Sequence, residues 1–142
     1  DTAGAYLITG GLGAIGLHVA ERLAKRGVRH LVLTGRAVPS AAAMQTIGAL
    51  EEQGCVVRTL QVDVTQAQDV ARLFDEIADS GLPRLVGLIH AAGATDAAGI
   101  DELSSDRFSA ILAPKVWGAW LLDREVRARN LDLSMFVCMS SM

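Results

Sequence analysis

The stretch Thr9-Gly10-Gly11-Leu12-Gly13-Ala14-Ile15-Gly16 restricts what this chain can fold into more than any other part of it. It follows a short apolar run, Tyr6-Leu7-Ile8-Thr9, and precedes a helical stretch that reaches Arg26. Glycines at 11, 13 and 16, set between a strand and a helix, have the spacing of a dinucleotide-binding turn. Missing side chains permit the tight turn, let the backbone approach a diphosphate, and leave helix and strand closely packed. The first N–H groups of the helix and its dipole then face the anion. The plainer alternative for the same glycines is an ordinary Gly-rich βα turn.

The alternation begun there continues down the chain. Gly27 closes the first helix, and Leu31-Val32-Leu33-Thr34 is the next apolar run. Pro39-Ser40 opens a second helix, ended by Gly54, with Ser40 as its predicted N-cap. Val56 to Val64 alternates apolar and polar residues, as a strand does. Thr65 is predicted to cap a helix that carries Val70, Leu73, Phe74 and Ile77 on one face. Leu85 to Ile89 is a fourth strand, Ser104 starts a long helix to about Arg129, and Met135 to Met139 is the fifth strand. Five apolar strands separated by four amphipathic helices predict an α/β fold, a Rossmann-type doubly wound parallel sheet, because right-handed crossovers cover both faces. Residues 1–142 form one domain with no internal repeat. Asp1 is not an initiator methionine and Met142 follows directly on the fifth strand, so the chain is expected to be a piece of something longer, lacking the C-terminal part of its fold.

Composition narrows the possible partners. Lys+Arg 13 against Asp+Glu 16 leaves a net charge of −3, which argues against nucleic acid or an anionic membrane as partner. Aromatic residues are only 4%, too few for a base-stacking surface. No apolar run approaches the roughly eighteen residues that span a bilayer. With no export leader, a cytoplasmic location is expected. Cys55 and Cys138 lie in strand-like runs and are predicted to be buried, reduced thiols. His18, His30 and His90 have no metal-binding spacing and suggest no role of their own.

The second strand ends in Thr34-Gly35-Arg36. A site selective for NAD would place an acidic residue there for the ribose hydroxyls, whereas arginine suits a 2′-phosphate. Gly35 removes bulk that would crowd that phosphate, so NADP(H) is the expected cofactor, a solvated surface arginine being the alternative. Asp63-Val64 is placed to meet the adenine ring, though an aspartate before Thr65 serves equally as turn chemistry. After the fourth strand, His90-Ala91-Ala92-Gly93 leaves room for a ligand in the crevice at the strand ends. Cofactor contacts are therefore expected from Thr9, Gly10, Gly11, Leu12, Gly13, Gly16, Gly35, Arg36, Asp63, Val64, Ala91, Ala92 and Gly93.

One lysine is conspicuous on pattern alone. In the helix from Ser104, the positions Phe108, Ile111, Lys115, Gly118 and Leu122 share a face. Lys115 thus falls on the inward stripe beside Pro114, which is expected to kink the helix. A lysine there needs polar company, unless it snorkels from the edge of the stripe. Trp117 and Trp120 on the same helix are expected to be packing residues.

Taken together, these stretches resemble a short-chain dehydrogenase/reductase, and more narrowly the ketoreductase domain of modular polyketide synthases and related fatty-acid synthases. The resemblance runs through Tyr6 to Gly13, Leu31 to Arg36, Val62-Asp63-Val64-Thr65, Gly87 to Gly93, Leu112-Ala113-Pro114-Lys115-Val116-Trp117-Gly118-Ala119-Trp120, and Phe136 to Ser141. It covers essentially the whole chain, and the Pro-Lys element is its most discriminating piece. The resemblance implies that Lys115 is an active-site cation that lowers the pKa of a catalytic tyrosine, and that Ser141 hydrogen-bonds the substrate carbonyl. The alternative for Ser140-Ser141 is local backbone bonding at a strand end. The resemblance also places the proton-donating tyrosine beyond Met142, since Tyr6, the only tyrosine, lies before the phosphate turn.

The function so implied is NADPH-dependent reduction of a β-keto group on a chain tethered to an acyl carrier protein, among neighbouring synthase domains. Two other readings stay open: a non-catalytic NADP(H)-binding module, and an extended-type epimerase or dehydratase. Tyr-x-x-x-Asn after Met142 would favour the reductase, Tyr-x-x-x-Lys the epimerase, and no tyrosine the binding module. One class of the family carries Leu-Asp-Asp after His-Ala-Ala-Gly and makes a D-configured alcohol. Thr95-Asp96-Ala97 keeps only the central residue, so an L-configured product is expected, the alternative being that Thr95 to Gly99 is an Ala-rich loop without bearing on configuration.

Overall fold

The computed structural model describes residues 1–94 and 104–140. Its strands are β1 (Ala5–Thr9), β2 (His30–Gly35), β3 (Val56–Gln61), β4 (Leu85–His90) and β5 (Met135–Cys138). They form one parallel sheet in the order β3-β2-β1-β4-β5. The helices are α1 (Ala14–Lys25), α2 (Ala41–Glu52), α3 (Ala67–Asp79) and α4 (Ser105–Leu112), followed through a π-helical turn (Ala113–Trp117) by α5 (Gly118–Ala128). This is the Rossmann-type α/β sheet predicted, with α4, the π turn and α5 together making the long fourth helix.

Alternation along β1 decides which layer each side chain joins. Leu7 packs with Leu88, Val70, Leu73, Phe74, Leu121 and Leu122 on the face covered by α3 and α5. Tyr6 and Ile8 point the other way, to Ala20, Ala24, Ile47 and Leu50 of α1 and α2. Both faces of the central strands are therefore buried, which is why they read as unbroken apolar runs. Full burial of a leucine such as Leu7 or Leu88 contributes about 1.5–3 kcal/mol. The helix starts follow from side-chain capping: Ser40 Oγ accepts from the Ala43 amide, and Ser104 Oγ from the Arg107 amide.

Several expectations are corrected. β3 stops at Gln61 instead of running to Val64. Thr65 does not cap α3: Gln66 is at the N-cap without a side-chain bond, and the Thr65 hydroxyl donates to Asp63 Oδ1. Cys55 is buried but Cys138 is exposed, since β5 pairs only with β4 and is the edge of the described sheet. Phe108 is half exposed, so the stripe on the long helix is buried only from Gly118 onward. Trp117 and Trp120 are 49% and 48% exposed and stack on each other at 4.6 Å between ring centroids, not on the core. Pro114 produces a π turn instead of a simple kink. It has no N–H for the Ala110 carbonyl, and the Gly118 amide donates five residues back, to Ala113 O. No helix among the described residues is long and apolar enough to cross a membrane.

Candidate functional site

The sheet order reverses direction at β1: β2 and β3 lie to one side of it, β4 and β5 to the other. The loops leaving β1 and β4 therefore diverge and open a crevice at the C-terminal ends of the strands. A cavity of about 420 Å³ occupies that position. Its walls bring together Gly10 and Gly13 of the first turn, Gly35 and Arg36 after β2, Asp63 and Val64 after β3, and Ala91, Ala92 and Gly93 after β4. Ala110, Ala113 and Pro114 close it from the long helix. Positions far apart in the sequence thus converge on one hollow.

The glycines of the first turn do different work. Gly10 has φ +70, and a Cβ there would lie 2.6 Å from the Ala92 amide nitrogen, so this residue lets the turn meet the end of β4. A Cβ on Gly16 would lie 2.3 Å from Gly10 O, and one on Gly11 2.6 Å from Ile8 O; both residues are buried and shape the turn from behind. Gly13 is different. It is exposed at the N-cap of α1 with φ −88, and an added Cβ would meet only Gly10 O, at 3.4 Å. The protein itself does not need a glycine there, but an anion resting on the α1 N-terminus does.

A pair of substitutions separates these roles. Gly16→Ala is expected to lower the melting temperature by several degrees, as a backbone clash costing about 1–3 kcal/mol would. Gly13→Val is expected to lower melting less than Gly16→Ala, by the N-cap preference for glycine over valine, and to weaken dinucleotide binding at least tenfold, about the effect of losing one good contact of 1.4 kcal/mol. Thermal melting and nicotinamide fluorescence titration of the full-length protein check both.

At the outer end of the crevice, Arg36 is exposed, and its guanidinium has no ion-pair or hydrogen-bond partner among the described residues. Its carbonyl is held by Gln61 Nε2 at 2.8 Å, which fixes the backbone from which the side chain extends. The residues that follow β2, Arg36-Ala37-Val38, carry no carboxylate for ribose hydroxyls. Gly35 lies against Leu12, whose Cδ1 is 3.1 Å from the position a Cβ would take. Leu12 is thereby half-buried as a prop beneath the wall.

Asp63 carries the turn chemistry that its sequence position allows and also stands in the cavity wall. Its Oδ1 accepts from the Thr65 amide at 2.9 Å and the Thr65 hydroxyl at 2.7 Å, while its own amide donates to Asp69 Oδ2. That last bond, with help from Arg72, holds the Asp69 carboxyl below its ordinary pKa. The loop is braced by turn chemistry, and Asp63 and Val64 still line the cavity.

Thr9 was expected at the cofactor but is fully buried behind the wall. Its hydroxyl lies 2.6 Å from His90 Nδ1. His90 is 2% exposed, and its Nε2 lies 2.8 Å from Pro114 O. A carbonyl oxygen only accepts, so Nε2 carries the proton and Nδ1 accepts from Thr9. Burial pushes the imidazole pKa below its ordinary value, partly offset by the bond to Pro114. His90 was passed over at the level of sequence. The available signal was a histidine ending an otherwise wholly apolar strand, where an imidazole needs partners.

Lys115 is half-buried on the π turn, and its Cε lies 3.4 Å from where a Cβ on Gly93 would be. The lysine stem thus runs along Gly93, at the crevice's inner rim. Ser141 lies outside the described residues, as do Thr95, Asp96 and Ala97 of the loop expected to bear on stereochemistry.

Comparison with known proteins agrees with this geometry. The family model described as the KR domain matches residues 4–142. A 6-methylsalicylic acid synthase of Aspergillus terreus is 39% identical over 146 residues, covering 92% of this chain and 8% of that protein. Polyketide synthase ThaG of Burkholderia thailandensis is 40% identical over 142 residues, covering 99% of this chain and 2% of that protein. Among solved structures, a ketoreductase domain from the bacillaene assembly line superimposes with TM-score 0.90 at 35% identity, over 98% of this chain and 33% of that one. An N-terminal ketoreductase from the macrolactin assembly line gives TM-score 0.89 at 34% identity, over 99% and 28%. The chain therefore spans less than a tenth of these curated relatives and at most a third of these ketoreductase chains.

Proposed function

Since the chain belongs to the KR-domain family, the ketoreductases of polyketide synthases within the short-chain dehydrogenase/reductase superfamily, we propose that it forms the NADP(H)-binding part of a β-ketoacyl reductase domain. Members of that family are oxidoreductases that use a nicotinamide cofactor, typically NADPH. The reaction proposed here reduces the β-keto group of an acyl chain, carried on an acyl carrier protein, to a β-hydroxy group. The observation that carries this reading is the single crevice lined jointly by Gly13, Arg36, Asp63 and Gly93, with Lys115 at its inner rim.

The residues present fit the cofactor. The α1 N-terminus with Gly13 would hold the diphosphate, Arg36 the 2′-phosphate, and Asp63 and Val64 the adenine. Ala91, Ala92 and Gly93 would leave space for the nicotinamide end. When bound, NADPH supplies the hydride. Lys115 then serves as a cation beside the site where negative charge develops on the substrate oxygen, and Ser141 as a hydrogen-bond donor to it. The proton for that oxygen is assigned to a tyrosine beyond Met142 in the longer synthase. Tyr6 is buried in β1 and donates its hydroxyl hydrogen to Asp1 O at 2.8 Å, so it has no part in the chemistry. The acyl carrier protein and the other synthase domains are the proposed partners, in the cytoplasm, and the L alcohol is the proposed product.

The reading is tested by incubating the full-length protein with a β-ketoacyl N-acetylcysteamine thioester and either NADPH or NADH. Alcohol formed with NADPH in strong preference is the expected outcome. Cofactor binding without any reduction would instead favour a non-catalytic NADP(H)-binding module.

A further inference from the structure

The imidazole of His90 ties together two parts of the crevice, at Thr9 and at Pro114, that lie far apart in the sequence, yet no step of the proposed reduction uses it. On one side it takes the hydroxyl hydrogen of Thr9, the last residue of β1 before the glycine turn. On the other its Nε2–H holds Pro114 O, one residue before Lys115. The π register makes that carbonyl reachable: the Gly118 amide, which would serve Pro114 O in a regular helix, is donated to Ala113 O instead. The ring is also gripped from the far side, since a Cβ on Gly118 would lie 3.3 Å from His90 Cε1.

Among the described residues, burial does little to hold the turn. Neither α4 nor the π turn contains a buried residue, and the buried anchors begin only at Gly118, Leu121 and Leu122. We propose that His90 is a positioning residue of the ketoreductase: its Nε2–H clamps the π turn to the ends of β1 and β4 and thereby fixes where the Lys115 ammonium stands over the crevice. The inference rests on the proposed ketoreduction for its catalytic consequence, but the clamp itself is a statement about the turn. Thr9 sets the tautomer that makes the clamp work, because a hydroxyl donating to Nδ1 leaves the proton on Nε2.

Two near-isosteric amides separate the two ends of the ring. A glutamine amide nitrogen reaches the position of Nε2 and can still hold Pro114 O. An asparagine reaches only the position of Nδ1 and can satisfy Thr9 alone. In the full-length protein, His90→Asn is expected to lower kcat about 100-fold, the effect of a small misplacement of a catalytic group, with NADPH affinity kept. His90→Gln is expected to recover most of that loss. Hydrogen exchange of the amides from Val116 to Trp120 should quicken in His90→Asn and return toward wild type in His90→Gln. Equal turnover in the two variants, whether both are intact or both have lost activity together with NADPH binding, would overturn the assignment. Equal exchange in the π turn would overturn it as well. The exchange comparison needs no turnover, so a wild-type protein that reduces no ketone would refute the proposed function and leave the clamp separately testable.

Discussion

Arg36→Asp is expected to abolish or invert the preference of the full-length protein for NADPH over NADH. Arg36 stands at the outer rim of the crevice, at the tip of β2, with no side-chain partner among the described residues. A hydrogen bond to a charged partner is worth about 1.5–3 kcal/mol, or roughly 10- to 150-fold in affinity. The substitution removes that contact and sets a carboxylate against the 2′-phosphate, so the change in preference exceeds the loss of the contact alone. NADH has no such phosphate, and an aspartate at this position can receive its ribose hydroxyls. Its affinity should hold or rise. Dissociation constants for both cofactors, by fluorescence titration, give the ratio directly. Because the arginine is exposed, the wild-type preference should also shrink with added salt. An unchanged ratio in the variant would remove Arg36 from the site.

Lys115→Met is expected to lower kcat for ketone reduction by about 10²- to 10³-fold, the range for removing one preorganised electrostatic group from an active site. Methionine keeps an unbranched stem along Gly93, so packing at the rim is retained and only the cation is lost. NADPH affinity should change little, because the proposed diphosphate and 2′-phosphate contacts are at Gly13 and Arg36. Single-turnover kinetics at saturating NADPH separate the two quantities. Turnover close to wild type would leave Lys115 as a solvated lysine at the edge of its stripe.

The parts of this molecule legible in the sequence are those where backbone physics leaves few options. Apolar runs at β1, β2 and β4 announced strands buried on both faces, and the glycine turn announced the crevice, because strand, turn and helix follow one another in the chain. Ser40 and Ser104 were readable as caps for the same local reason. What failed depended on tertiary neighbours. Whether Cys138, Phe108, Trp117 and Trp120 are covered depends on what packs on β5 and on the outer face of the long helix, and periodicity carries no such information. Thr65 lies one residue before the N-cap of α3, and its hydroxyl donates to the nearby Asp63 carboxylate. The Thr9–His90–Pro114 chain spans residues 9, 90 and 114, so none of its members showed a partner in its own sequence neighbourhood.

The central claim, that this crevice binds NADPH and directs its hydride to a β-keto carbon, is tested most directly by isotope transfer in the full-length protein. NADPH deuterated at C4 of the nicotinamide, on either face in turn, is incubated with a β-ketoacyl thioester, and the product is analysed by mass spectrometry and chiral chromatography. The account predicts deuterium at the β-carbon of a single β-hydroxy enantiomer from one labelled face only, and that transfer slowed by about 10²- to 10³-fold in Lys115→Met. Unlabelled alcohol from both labelled forms, label from both faces, or NADPH bound with no alcohol formed would contradict it.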